Sequence, residues 1–404
     1  MDYLSESDFN SETPHKMFLD INSCFATIEQ QANPLLRGKE VAVAAYKCDH
    51  SCILAASKEA KNLGIKTGWK VAEAKKICPN IIVITPDPPK YRFVHKEIRK
   101  ILENFSPRVN PRSIDEFAIN FNGIDGDLWK KAKDIKAEIK NKVGEWITVS
   151  IGIAPNFFLA KLASNLIKPD GLVKIDKNNF EEIYQKLELE SLPGIAFKSK
   201  CKLEVNNILK VNDFYNCGRQ ELRSIFHSIW ADYWYWRLRG FEIDEEKKEK
   251  KKSFSSIVAL KIPAKNRDEL AAIFYQLCLK VGRRAKRQKQ GAKRVVWWAG
   301  GDDIQIEGRL KSEEVMTNGW EIFESFYSRI GEFRGEIKKV VVVIDHLCPR
   351  YWQEDIFGIR EKLWEKSEIA QKINDKFGEN SVFPGNLLNI QRVADSIGFG
   401  NFTE

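Results

Sequence analysis

The chain has 404 residues, 43% of them hydrophobic and 30% charged, and a net charge of +9. This composition is typical of a folded chain of several domains and excludes a largely disordered one. No apolar run approaches the roughly 18 residues of a membrane-spanning helix, and the eight cysteines are scattered and follow no signal peptide, so we expect a reduced cytoplasmic protein without a membrane partner.

The first part of the chain alternates between strand and helix patterns. Its polar start predicts a flexible extension over residues 1–15, and MFLDI at 17–21 is an apolar run of strand length that contains one aspartate. CFATIEQQA at 24–32 then has a helical pattern. The segment as a whole predicts the order β-α-β…α-β-β-α-β with an insertion near residues 31–83. Because that order is typical of a ferredoxin-like domain, we predict the α+β class.

The second part of the chain predicts a helical segment and then a small α+β domain. Residues 178–240 contain short amphipathic helix patterns, and the charged run EIDEEKKEKKKS at 242–253 predicts a linker. Residues 254–347 alternate strand, basic helix, strand, strand, helix and strand. The tail, 348–404, contains one helical pattern around 361–377.

Positive charge is concentrated in the basic helix of this last domain. The segment 280–294 contains eight basic residues and no acidic one. A solvated helix face is the ordinary explanation of such a run. Because no acid within the segment compensates the charge, contact with phosphate groups is an equally good explanation. The residues that we predict to make it are Lys280, Arg283, Arg284, Lys286, Arg287, Lys293 and Arg294.

Acidic residues stand at two predicted strand ends. Asp20 ends the first apolar strand, and Asp115-Glu116 occupy the turn of a later hairpin. A buried strand end is costly for an isolated carboxylate, so such acids are usually paired or bound to a cation. Oxygen ligands without nearby His or Cys favour Mg²⁺, and two such ions stabilise phosphoryl transfer. From spacing alone, a merely polar hairpin turn remains the other explanation of Asp115-Glu116.

Three motifs together resemble the Y-family (lesion-bypass, UmuC-like) of DNA polymerases. They are LDINSCFATIEQ at 19–30, PRSIDEFAINF at 111–121 and VSIGIAPNFFLAKLASNLIKPDG at 149–171, in the family's order and at its separations. The resemblance covers roughly residues 16–360. It implies a template-directed polymerase that adds deoxynucleotides to a primer 3′-hydroxyl, with low fidelity and without proofreading.

The resemblance also implies a right-hand architecture. It consists of a ferredoxin-like palm, small fingers, a helical thumb and an additional α+β DNA-binding domain, the little finger. We predict residues 16–30 and 84–174 as the palm, 31–83 as the fingers, 175–240 as the thumb, 241–252 as a linker, 253–347 as the little finger and 348–404 as a tail.

The same resemblance assigns metal and sugar-selection roles. Asp20, Asp115 and Glu116, with the backbone carbonyl of Ile21, are implied to hold two Mg²⁺ ions. Phe25 falls at the steric-gate position, where a ring lies under the deoxyribose and would clash with a 2′-hydroxyl. A core phenylalanine on an amphipathic helix is the simpler explanation, but the spacing from Asp20 fits the gate.

Lysines are implied to contact the triphosphate. Lys168 falls at the palm lysine that neutralises the incoming nucleotide. In the fingers motif, Lys58 and Lys61 stand where the family usually has Tyr and Arg. Lysine keeps the charge but loses the bidentate fork and the aromatic face. A second departure is Asn22, which replaces an acid that is common two residues after the first metal ligand.

Two further segments are implied to bind partners. Gly194 lies in LPGIAFKSK, which resembles a helix-hairpin-helix whose N–H groups contact DNA phosphate, although Ala196 replaces the second glycine. Near the tail, Gln353, Asp355, Ile356 and Phe357 resemble a sliding-clamp-binding peptide. We therefore expect primer-template DNA, dNTPs and a sliding clamp as partners of a monomer. The expected location is cytoplasmic and nucleoid-associated, as in bacteria.

Two other hypotheses remain open from the sequence. Lys58, Lys61 and Ala196 are compatible with a catalytically weak homologue that binds DNA and recruits a clamp. Gly300–Asp303 (GGDD) is similar to a nucleotide-cyclase signature, but it lies outside the predicted palm, where a turn between strands is the better interpretation.

Overall fold

The structure, a computed structural model, describes residues 8–244, 251–349 and 359–377, together with residues 381, 382 and 385. Its contacts divide the chain into two units, with the division between residues 246 and 247. None of the helices that the structure describes is long and apolar enough to cross a membrane.

The first unit contains two sheets. Its strands are β1 (Lys16–Ile21), β2 (Val41–Ala44), β3 (Ile53–Ala56), β4 (Ile82–Ile84), β5 (Val109–Pro111), β6 (Glu116–Asn120), β7 (Val149–Ala154) and β8 (Leu172–Lys174). The larger sheet has the order β5-β6-β1-β7-β8, and the smaller one has the order β3-β2-β4. In the larger sheet, β1 pairs antiparallel with both β6 and β7. The predicted ferredoxin-like order is thereby confirmed, and the smaller sheet comes from residues 41–84.

Amphipathic helices cover the larger sheet and build the rest of the unit. They are α1 (Cys24–Ala32), α2 (Lys58–Asn62), α3 (Val71–Ile77), α4 (Pro88–Glu103), α5 (Leu128–Lys142), α6 (Phe157–Leu166), α7 (Phe180–Lys186), α8 (Phe197–Glu204), α9 (Val211–Asn216), α10 (Arg219–Phe226) and α11 (Trp230–Leu238). Local signals set their ends. The Asp87 side chain, for example, accepts a hydrogen bond from the Lys90 N–H, and two prolines open α4.

The second unit has the predicted α+β order. Its elements are β9 (Ser253–Ala264), α12 (Arg267–Arg287), β10 (Gln290–Gly300), β11 (Gln305–Met316), α13 (Gly319–Tyr327) and β12 (Ile337–Pro349), followed in the chain by α14 (Ile359–Phe377). The strands form an antiparallel sheet in the order β11-β10-β12-β9. Alternate side chains of β10 and β12 pack with α12 and α13 in one core. The predicted turn at Gly300–Asp303 connects β10 to β11.

Parts of two segments that we predicted as an extension and a linker are packed against helices. Phe9 is 5% exposed and stacks on Phe180 of α7, with ring centroids 4.2 Å apart. At the start of the predicted linker, Glu242 accepts a hydrogen bond of 2.9 Å from the Phe157 N–H at the start of α6. These positions differ from the expectation because the apolar ring of Phe9 and the partly buried carboxylate of Glu242 have partners on α7 and α6.

Candidate active site

The pairing of β1 with β6 brings the predicted acids to one end of the larger sheet. Asp20 lies opposite Glu116 in the antiparallel register. The Ile21 N–H donates to the Asp115 carbonyl oxygen at 2.9 Å, which fixes the turn before β6 against the end of β1. Residues that are far apart in the sequence thus form one acidic site.

Each of these carboxylates has a polar partner. The Nζ atom of Lys168 lies 2.8 Å from Asp20 Oδ1, and that of Lys161 lies 2.9 Å from Glu116 Oε1. The Ser113 hydroxyl donates to Asp115 Oδ1 at 2.5 Å. The ammonium groups of Lys168 and Lys161 therefore lie beside carboxylates, where their positive charge is favourable.

Partial burial raises the pKa of Asp20 above its usual value. Desolvation raises the pKa of Asp20 to about 6, the Lys168 ammonium opposes this rise, and the charges of Asp115 and Glu116 add to it. At neutral pH Asp20 is still mostly ionised, although its environment disfavours the charge. A cation bound beside it would relieve that cost.

The donor chemistry of the site fits a hard divalent cation. Within the described ranges, no three Asp, Glu, His or Cys side chains are gathered closely enough to hold an ion. The donors at the strand ends are nevertheless oxygens. The one neighbouring thiol is Cys24, whose pKa burial raises well above its usual value, with Asp115 and Asp20 adding to the effect. A neutral thiol is a poor ligand, so the oxygen set favours Mg²⁺ over zinc.

A cavity of about 360 Å³ opens beside the acids. Most of the nucleotide-site residues that the sequence predicted line this cavity. Residues that the sequence did not predict also line it, among them Leu54, Asn62 and Thr67. The predicted residues that line it are Asp20, Ile21, Phe25, Lys58, Lys61, Asp115 and Lys168.

Lys58 and Lys61 reach this cavity from α2. The Ser57 hydroxyl accepts a hydrogen bond from the Ala60 N–H and so begins the helix at Lys58. Lys58 and Lys61 are three residues apart and lie on the same side of the helix. Partial desolvation lowers the pKa of Lys61, the Lys168 ammonium lowers it further, and Asp20 opposes the shift.

Sequence reasoning missed the contacts that hold these acids and Lys168 in place. Lys161, the partner of Glu116, is the sole basic residue in the apolar helix α6, which was an available signal. Asn22 donates to the Ser150 hydroxyl at 2.9 Å and accepts from the Asp170 N–H at 2.8 Å. The residue that replaces the family's acid therefore fixes the loop that carries Lys168.

The predicted basic face is divided between two elements of the second unit. Lys280, Arg283, Arg284, Lys286 and Arg287 lie on α12, and Lys293 and Arg294 lie on β10. Arg294 donates two hydrogen bonds of 2.6 Å to Asp345 of β12. The segment itself contains no acid, but Arg294 has an acidic partner from a distant strand, which the sequence did not predict.

The predicted hairpin of the helical region has a glycine turn. Gly194 has a φ of +95°, a left-handed conformation that glycine adopts without strain. Ala196 precedes α8 as its N-cap and offers no side-chain hydrogen bond. The predicted clamp residues Gln353, Asp355, Ile356 and Phe357 lie outside the described residues.

A sheet with carboxylates at one end, beside a lysine-lined cavity and a small inserted sheet, agrees with the fold predicted for a right-hand polymerase. Residues 19–165 match the impB/mucB/samB family. DNA polymerase IV of Bacillus velezensis is 27% identical over 389 residues, which cover 92% of this chain and 92% of that protein. DNA polymerase IV of Staphylococcus epidermidis is 34% identical over 232 residues, which cover 57% of this chain and 64% of that protein.

Solved structures show the same fold. A Y-family DNA polymerase chimera of Dbh and Dpo4 superimposes with a TM-score of 0.69 and 23% identity, covering 83% of this chain and 99% of that chain. The insertion ternary complex of Dbh DNA polymerase superimposes with a TM-score of 0.57. The chain therefore has the fold of these Y-family structures, and its residues 19–165 match the impB/mucB/samB family.

Proposed function

We propose that the chain is a template-directed DNA polymerase of the translesion type, which transfers nucleotides from dNTPs to a primer 3′-hydroxyl. One observation supports this most: the carboxylates of Asp20 and Asp115 share a cavity with the amines of Lys58, Lys61 and Lys168. Nucleotidyl transfer needs oxygen ligands for cations and positive charge for a triphosphate, and this cavity has both.

The three lysines bind the triphosphate in this proposal. The cavity volume of about 360 Å³ lies within the range of small-molecule sites, which is roughly 300–1,000 Å³. Lys58 and Lys61 supply charge from the fingers side, and Lys168 supplies it from the palm side. Because an ammonium group lacks the guanidinium fork, they hold phosphate oxygens as point charges and not through paired hydrogen bonds.

Asp20, Asp115, Glu116 and the Ile21 carbonyl would hold two Mg²⁺ ions. When bound, the ions would stabilise charge on the attacking and leaving oxygens. Lys168 opposes the rise in the pKa of Asp20, and Lys161 forms an ion pair with Glu116, so that both carboxylates are held in place.

Other side chains set what the enzyme accepts. Phe25 lines the cavity and acts as the steric gate against a 2′-hydroxyl. Low fidelity and the lack of proofreading are also proposed.

The proposed partners are primer-template DNA, dNTPs and a sliding clamp. The Gly194 hairpin and the basic residues of α12 and β10 would contact the DNA backbone independently of sequence. Gln353–Phe357 would bind the clamp. We propose a monomer that works in the cytoplasm of a bacterial cell, on nucleoid DNA.

Primer extension tests the proposal. The chain is given a primer-template and one dNTP at a time, with Mg²⁺ or with EDTA. We expect Mg²⁺-dependent addition of the complementary nucleotide above the other three. Tight DNA binding without any extension would contradict the proposal and favour a recruiting protein, and nucleotide consumption without a template would favour a cyclase.

A further inference from the structure

A second aromatic ring lies directly behind Phe25. Tyr91 of α4 stacks on Phe25 of α1, with ring centroids 4.4 Å apart and planes inclined by 9°. Tyr91 is 1% exposed and Phe25 is 4% exposed. Because protein interiors are close-packed, the Tyr91 ring limits how far Phe25 can move away from the cavity.

A buried carboxylate holds Tyr91 in turn. The Tyr91 hydroxyl donates to Glu29 Oε1 at 2.9 Å, and Lys90 Nζ donates to Glu29 Oε2 at 2.7 Å. Phe25 and Glu29 are four residues apart on α1, so they lie on the same helix face. Tyr91 therefore contacts two successive turns of α1, with its ring on Phe25 and its hydroxyl on Glu29.

A contact that only fills the core would not require a buried carboxylate, whose burial costs free energy. Glu29 is 6% exposed, and burying a carboxylate requires compensation that an apolar side chain of similar size does not need. Lys90 and Tyr91 supply that compensation. Burial also raises the pKa of Tyr91 far above its usual value, so the hydroxyl keeps the proton that it donates.

We propose that Tyr91 and Glu29 are positioning residues for the Phe25 ring and thereby set how strongly the enzyme rejects ribonucleotides. Stacking on Tyr91 keeps the Phe25 ring in the cavity wall, and the Glu29 hydrogen bond keeps Tyr91 from turning away. The inference rests on the proposed function and on Phe25 as its gate. It assigns sugar selection to a cluster that extends beyond the gate itself.

The test compares kcat/KM for a dNTP and for the rNTP with the same base, opposite one template base. In Tyr91→Leu we expect the dNTP/rNTP ratio to fall about threefold to tenfold, in the range that an aromatic pair contributes, with an absolute rise in rNTP use. Glu29→Ala lowers the ratio in the same direction. Glu29→Gln keeps most of it, because the amide oxygen accepts the same hydrogen bond.

A double-mutant cycle separates positioning of the gate from an independent effect. In a Phe25→Ala background the gate is gone, so adding Tyr91→Leu is expected to leave the ratio unchanged. The proposal would be overturned if Tyr91→Leu lowered the dNTP/rNTP ratio in the Phe25→Ala background as much as in the wild type. It would also be overturned if the folded Tyr91→Leu variant kept the wild-type ratio.

Tyr184→Phe is a matched control for Tyr91→Phe. Tyr184 is also fully buried and donates one hydrogen bond, to the Leu238 carbonyl at 2.7 Å. Both variants lose a buried hydroxyl, but only Tyr91→Phe is expected to lower the dNTP/rNTP ratio. Equal changes in both variants would mean a general loss of stability.

A wild type that extends no primer would contradict the proposed function, and this inference with it. A wild type that discriminates while Tyr91→Leu discriminates equally would contradict the inference alone.

Discussion

Single side chains determine the electrostatics of the cavity. Asp20 is partly buried, its desolvation disfavours the charged carboxylate, and the ammonium of Lys168 opposes this effect. Glu116 forms a similar ion pair with Lys161. These pairs explain how carboxylates can be kept at the end of a buried strand, where removing one partner would leave an uncompensated charge.

The first prediction at this scale concerns sugar selection. Phe25→Ala is expected to admit ribonucleotides, because it removes the ring that lines the cavity beside Asp20. Competitive incorporation of an rNTP and its dNTP measures the effect. Sugar discrimination equal to that of the wild type would remove Phe25 from the gate position.

The second prediction concerns the fingers. Lys61→Ala is expected to raise the KM for dNTPs about tenfold or more and to change kcat less, because a charge-assisted contact to phosphate is lost. Steady-state single-nucleotide insertion measures both constants. Lys66→Ala is the matched control, since this lysine is exposed in the same segment and does not line the cavity. An equal effect of both substitutions would indicate a loss of general positive charge and not of a specific contact.

At the scale of elements, α6 depends on one buried cap. The Asn156 side chain accepts from the Leu159 N–H at 2.8 Å and donates to the carbonyls of Arg237 and Phe241 at 2.9 and 3.0 Å. Asn156 is 1% exposed. It therefore begins α6, which carries Lys161, and also ties that helix to the end of α11.

The third prediction follows from this cap. Asn156→Ala is expected to lower the free energy of unfolding by about 3 kcal/mol, because it removes a helix cap and two hydrogen bonds to partly buried carbonyls. Asp127→Ala removes an exposed cap at α5 and is expected to cost about 1 kcal/mol. Urea unfolding measures both, and equal losses would contradict the role of the buried contacts.

Local signals made much of the fold and site predictable. The strand containing Asp20, the hairpin before Glu116 and the helix over residues 24–32 each follow from a short pattern of apolar or turn residues. The pairing of Arg294 with Asp345 could not be predicted in this way. Neither could the contact of Tyr91 with Glu29, because each joins elements that only tertiary packing brings together.

At the scale of the whole molecule, the proposed function needs contacts outside the cavity. The basic residues of the second unit and the Gly194 hairpin would hold DNA through phosphate contacts, which weaken as salt is added. A tether to a sliding clamp would raise the local concentration, at the DNA, of an enzyme that binds DNA through these salt-sensitive contacts.

The fourth prediction tests that tether. Deletion of Gln353–Phe357 is expected to abolish stimulation of synthesis by a sliding clamp and to spare synthesis without the clamp. Primer extension with and without a loaded clamp measures this, and a deletion of residues 400–404 serves as the control. Equal stimulation of the wild type and the Gln353–Phe357 deletion would dismiss the motif.

The central claim is that Asp20, Asp115 and Glu116 form the catalytic centre of a DNA polymerase. It is tested most directly by primer extension with Asp115→Asn/Glu116→Gln, next to Asp125→Asn, which changes an exposed aspartate of the same unit. We predict that the double variant loses at least about a thousandfold in rate, since several kcal/mol of charge stabilisation depend on these acids. Asp125→Asn should keep the wild-type rate. Extension by the double variant at the wild-type rate would contradict the account.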